Sequence, residues 1–141
     1  MIIIRKNKVG RFFLHVAVLF LISSLALSVL ACVNTAFISV VPEKAQEIAA
    51  AKSVVYLDVR TASEYVAGHI AGAVNLGYRS DDFERNLASL DKSIVYIVYC
   101  HSGTRSKDTL KIMWEMQFKE AYDIKGGITA WKNAGYPVAA F

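Results

Sequence analysis

The chain has 141 residues, with 16 Lys+Arg against 12 Asp+Glu and a formal charge of +4. Arg5, Lys6, Lys8 and Arg11 all precede residue 12, where there is no acid, so they carry the whole basic excess and the remainder is neutral. The charge balance therefore gives no electrostatic footprint for nucleic acid, and the length bounds the chain to one domain of ordinary size.

Residues 12–42 contain no Lys, Arg, Asp or Glu. A basic flank, an apolar run and then small residues is the grammar of an export signal or an N-terminal membrane anchor. The run from 12 to 31 is long enough to span a bilayer as a helix. It ends in "LSVLAC", which resembles the lipobox of bacterial lipoproteins, with Cys32 as the residue that would be lipidated after cleavage. Two alternatives stay open: cleavage at small residues, or an uncleaved anchor. All three make residues 1–31 a signal peptide or anchor. All three put residues 33–141 outside the cytoplasm, in the periplasm or cell envelope, with the N-terminal segment as the link to the membrane.

Residues 32–41 read as an uncharged linker, and 42–141 as the folded domain. "PEKAQEIAAAK" predicts a helix, with proline in its first turn and lysine late. "SVVYLDV" at 53–59 predicts a buried strand. In "TASEYVAG", Thr61 and Glu64 have capping-box spacing, and Gly68 suits the helix end. A loop follows with a minimal strand at 73–76. "SDDFERNLASL" at 80–90 predicts a helix capped by Ser80.

"SIVYIVY" at 93–99 is apolar on both faces, as a central parallel strand is. "SKDTLKIMWEMQF" at 106–118 predicts an amphipathic helix burying Leu110, Met113, Trp114 and Phe118. "EAYDI" at 120–124 predicts a strand, and "GITAWKNAG" at 127–135 a helix closed by Gly135. Strands alternating with helices over short connections predict a three-layer α/β domain: a mostly parallel central sheet flanked by helices, preceded by the N-terminal apolar helix.

Cys100 falls at the carboxyl end of the central strand, the edge where open α/β sheets bind ligands. The loop from Cys100 to Arg105 runs into a helix N-terminus. Its backbone N–H groups can form an anion cradle, strengthened by the helix dipole. Gly103 permits the tight backbone. Ser102, Thr104 and Ser106 add hydroxyls, and Arg105 adds a planar fork for an oxyanion. The same positive field favours thiolate. A Cys32–Cys100 disulfide would tie a linker to the end of a core strand and stabilise little, so Cys100 is read as a lone thiol with a use.

Cysteine phosphatases place five residues between cysteine and arginine. Here there are four, "HSGT", which makes a smaller cradle suited to a single sulfur carried on cysteine. Four stretches in order, "LDVRTASEYVAGHIAGAVNL", "VYCHSGTRS", "YDIKGGITAW" and "GYPV", resemble a single-domain rhodanese over roughly 42–141. The resemblance implies a thiosulfate sulfurtransferase that moves a sulfane sulfur from a donor to cyanide or a thiol through a persulfide on Cys100. It implies that the loop residues His101, Ser102, Gly103, Thr104 and Arg105 bind the substrate, and that no metal or organic cofactor is needed. Its partners would be small sulfur compounds, with a protein thiol as a further acceptor.

Two other readings share the loop: a non-catalytic rhodanese-like module that binds a partner or carries persulfide, and a cysteine phosphatase, which the loop length disfavours. Asp58 and Arg60, near the same sheet edge, are read as a supporting ion pair. His69 is read as a packed structural histidine. His101 stands where family members more often carry arginine, so charge at the mouth would depend on pH. Gly126 and Gly127 are expected to allow close backbone approach, and Trp131 to be core.

Overall fold

The structure, a computed structural model, describes residues 36–140. Cys32, the apolar run and the first part of the expected linker lie outside them. Among the described residues no helix is long and apolar enough to cross a membrane.

Five strands are described: β1 Phe37–Val40, β2 Val54–Asp58, β3 Val74–Asn75, β4 Val95–Tyr99 and β5 Glu120–Ile124. They form one sheet in the order β1-β5-β4-β2-β3, and every pairing is parallel. The helices are α1 Pro42–Ala51, α2 Ala62–Val66, α3 Phe83–Ala88, α4 Thr104–Glu115 and α5 Gly127–Asn133. The expected three-layer α/β architecture is the observed one.

Period-2 alternation along β4 explains the layers. Val95, Ile97 and Tyr99 point to one face, where they meet Ala45 and Ile48 of α1 and Ile128 and Trp131 of α5. Tyr96 and Val98 point to the other, where Phe83 and Leu87 of α3 and Leu110 and Met113 of α4 cover them. Buried on both sides, β4 has no polar face to show in sequence. Because all strands run the same way, the carboxyl ends of β2, β4 and β5 share one edge of the sheet, and the loop after β4 emerges there.

Three expectations are corrected. Part of the linker is strand: Phe37–Val40 pairs with β5, Ser39 opposite Asp123. Its two central residues are exposed, so this edge strand lacks the apolar run that marks β4. Ser80 does not cap α3: its hydroxyl donates to the Gly77 carbonyl, and the helix starts at Phe83. Trp114 is not core but 65% exposed, whereas Leu110, Met113 and Phe118 are buried. Trp114 follows Met113 by one residue, a rotation of about 100°, which swings it off the buried stripe.

One buried ion pair ties the β2 end of the sheet. Asp58 accepts from the Arg60 backbone N–H at 2.9 Å, from Nε at 3.0 Å and from Nη2 at 2.6 Å. Arg60 Nη2 also donates to the Gly68 carbonyl at 2.7 Å, and the guanidinium lies 5.7 Å from the centroid of the Tyr99 ring. Asn75 Nδ2 donates to the carbonyls of Asp58 and Arg60. The pair thus joins β2, β3, the turn after α2 and the last residue of β4. Removing one partner leaves the other charge buried and unpaired. Arg60→Ala is expected to cost about 3–5 kcal/mol of folding stability, read from urea unfolding midpoints; a cost no larger than that of an exposed pair would show that the pair does not hold this corner.

Candidate active site

Tyr99 ends β4 and the next residue is Cys100, only 1% exposed. Polar groups nonetheless converge on its sulfur. The Gly103 N–H donates to Sγ at 3.1 Å, and the Ser106 hydroxyl donates at 3.5 Å. Burial pushes the thiol up, but the Ser106 hydroxyl and the N–H groups of Ser106, Gly103 and Ser102 outweigh it, and the net shift is downward, toward thiolate.

The loop bends because Gly103 adopts φ of 100°, a left-handed conformation that frees its N–H to face the sulfur. Helix α4 begins at the next residue, Thr104. His101, Ser102 and Thr104 are exposed at the mouth, while Ser106 is fully buried beneath it. Of the loop residues singled out in the sequence, Ser102, Gly103 and Ser106 bear on the sulfur.

From behind, the loop is held by the start of α5. Ile128 N–H donates to the Cys100 carbonyl at 2.8 Å, and Thr129 donates to the His101 carbonyl through its N–H at 3.3 Å and its hydroxyl at 3.0 Å. The two segments approach so closely that a Cβ on Gly127 would come within 2.6 Å of the His101 carbonyl, and closer still to that of Cys100. Gly127 also has φ of 60°. The expected close approach at Gly127 is this clamp, whereas a Cβ on Gly126 would meet the Ala130 side chain at 2.7 Å.

Arg105 is half-buried and already has a partner. Its Nη1 and Nη2 donate to the two carboxylate oxygens of Glu64, each at 3.0 Å. The capping box of α2 is present as expected, and it fixes Glu64: the Thr61 N–H donates to the same carboxylate at 2.9 Å. The Arg105 fork, beside the Thr61 donors, holds the Glu64 carboxyl down to about 2, and Glu64 in turn raises Arg105. The sequence showed Glu64 only as a helix cap. Its second role joins positions 41 residues apart, for which no local spacing exists.

Asp58 and Arg60 form the buried pair described above and do not touch the sulfur. His69 is buried, with Nδ1 2.9 Å from the Tyr65 carbonyl oxygen and its ring stacked on Tyr65 at 3.8 Å. An antiparallel bridge joins it to Ala139. It is the packed structural histidine that was expected. Trp131 is core. Among the described residues no group of three or more His, Cys, Asp or Glu could hold a metal ion.

A cysteine at the end of a central parallel strand, facing a short amide ring with arginine at its rim, is the arrangement that the four sequence stretches suggested. The family model for the rhodanese-like domain matches residues 41–134. The chain belongs to the rhodanese family. The thiosulfate sulfurtransferase GlpE of Actinobacillus pleuropneumoniae is 28% identical over 102 residues, spanning 72% of this chain and 93% of that protein. GlpE of Pseudomonas putida is 35% identical over 97 residues, spanning 68% and 84%. A rhodanese-related protein of Thermoplasma volcanium superposes with a TM-score of 0.66 at 26% identity, over 73% of this chain and 98% of that one.

Because the Glu64 carboxyl is held down to about 2, its pairing is pH-dependent in one direction. A carboxylate whose folded value lies below its unfolded one adds stability above the unfolded value and loses it as pH falls through the folded one. The stability gap between the protein and Glu64→Gln is therefore expected to be constant from neutral pH down to about 4.5, then to close toward about 2. Urea midpoints across that range check it, and a gap that persists to the acid end would contradict the pairing.

Proposed function

We propose that this rhodanese is a sulfurtransferase that carries sulfane sulfur as a persulfide on Cys100. The observation that carries the proposal is the Gly103 N–H aimed at a sulfur whose ionisation is favoured. The name thiosulfate sulfurtransferase borne by the relatives supports it.

Cys100 thiolate attacks the outer sulfur of thiosulfate. A new S–S bond forms on cysteine, the bond to the sulfonate sulfur breaks, and sulfite leaves with that electron pair. The charge stays on the terminal persulfide sulfur, within reach of the loop N–H groups. Cyanide or a thiolate then attacks that sulfur, taking it as thiocyanate or a persulfide and returning Cys100 to thiolate. Splitting the transfer through a covalent intermediate is nucleophilic catalysis.

Arg105 offers the oxyanion end of the donor whatever N–H groups Glu64 leaves over, from a fork whose direction Glu64 sets. A negatively charged donor approaching this rim meets an ion pair rather than a bare cation.

After loading with thiosulfate, the protein is expected to release thiocyanate on adding cyanide and to show a sulfur adduct on Cys100 by mass spectrometry. Cys100→Ala should lose both. Hydrolysis of an aryl phosphate without thiocyanate would replace this reading with the phosphatase one.

We propose further that the N-terminal segment anchors the enzyme outside the cytoplasm through lipid on Cys32. Cys32→Ser should abolish lipid labelling and shift processing; unchanged processing would leave an uncleaved anchor or ordinary secretion.

A further inference from the structure

One buried titratable group beside the site has no part in the mechanism above. Asp123 lies on β5, opposite Val98 of β4 and Ser39 of β1, on the sheet face that α4 covers, and is 0% exposed. Ser39 donates to its Oδ2 at 2.8 Å. Its Oδ1 is buried with no hydrogen-bond partner among the described residues. A buried carboxylate with a free lone pair is costly, whereas a carboxylic acid needs an acceptor for its proton.

An acceptor on the α4 side is the Ser106 hydroxyl. It is fully buried in the first turn of α4 and close enough to bear on Asp123, although no hydrogen bond to Oδ1 is formed as the side chains stand. Its own proton points at Cys100 Sγ across 3.5 Å. A serine hydroxyl has one proton and two lone pairs. If Asp123 is ionised, carboxylate and sulfur compete for that single proton. If Asp123 is protonated, its O–H donates to Ser106 and the Ser106 proton is free for the sulfur.

We propose that Asp123, in its protonated form, is a positioning residue for Cys100: it fixes the Ser106 hydroxyl so that its proton is directed at the sulfur. The proposal rests on Cys100 being the reacting atom. Burial pushes the Asp123 carboxyl up, against the opposing effects of the Ser106 and Ser39 hydroxyls and the Lys107 charge. The groups bearing on it are Lys107 and Ser106 from α4 and Ser39 from β1, with Cys100 reached through Ser106. A second anion at the sulfur, thiolate or persulfide, further disfavours ionisation of the carboxyl, because like charges in low dielectric repel.

The test reads the ionisation of Cys100 and needs no turnover. The full chain is alkylated with iodoacetamide across a pH series, and modification of the Cys100 peptide is followed by mass spectrometry, which separates it from Cys32. Asp123→Asn supplies an amide donor of the same shape at every pH and should leave the alkylation midpoint in place. Asp123→Val removes the donor and lets Ser106 turn to a helix carbonyl. It should raise the midpoint by about one pH unit, as should Ser106→Ala, with no further rise in the double variant.

Circular dichroism confirms folding in each case, and the isosteric Asp123→Asn keeps the test available if the valine variant unfolds. A lowered midpoint in Asp123→Asn would mean that a carboxylate charge had been removed, and would overturn the proposal. So would an unchanged midpoint in a folded Asp123→Val, or an equal rise in both variants. Thiocyanate release by the unaltered protein, scored in parallel, tests the sulfurtransferase reading separately.

Discussion

The Cys100 carbonyl accepts the Ile128 N–H, and this contact between two strand-to-helix loops determines where the sulfur sits. It exists only because Gly127 has no Cβ at the point of closest approach. Once the carbonyls of Cys100 and His101 are held from behind, the Gly103 and Ser106 donors converge on the opposite side of the same short segment. A ring of amides is useful to an anion only if its members cannot swing away when the charge appears. Here one helix N-terminus frames the loop and a second anchors it.

Two other supports meet that frame at its ends. Arg60 lies over Tyr99, the residue before the cysteine, and the Tyr99 hydroxyl accepts the Ile70 N–H at 3.1 Å. Glu64, pinned by its own helix cap, fixes Arg105 at the far end of the loop. The segment between β2 and β3 thus serves both ends of the cysteine loop without touching the sulfur. This accounts physically for the long first stretch of the sequence pattern, which contains no cysteine. Its charged residues act on the backbone and side chains that border Cys100.

The central features were readable from the chain because their cause is local. An unbroken apolar run such as that of β4 can only be buried, and a cysteine followed by a glycine and a helix start can only lie at a strand-to-helix turn. Thr61 and Glu64 were found by spacing for the same reason. What escaped notice depends on partners distant in sequence. The four residues of β1 carry no pattern of their own and become a strand because β5 offers an unpaired edge. Trp114 looked like core because periodicity fixes a stripe but not its width. The pairing of Arg105 with Glu64, and the influence of Ser106 on Asp123, follow from the order of strands in the sheet, which composition and spacing do not encode.

The pairing of β1 with β5 carries a consequence for the boundary of the folded unit. The family match begins at residue 41, just after this strand, yet Ser39 supplies the hydroxyl that Asp123 accepts. Proteolytic trimming to Pro42 would leave every residue of the cysteine loop in place. It would also strip the edge of β5 bare, inviting the sticky association of open sheet margins, and leave a buried acid without the hydrogen bond from Ser39. The few residues that connect the domain to whatever precedes it are therefore part of its wall.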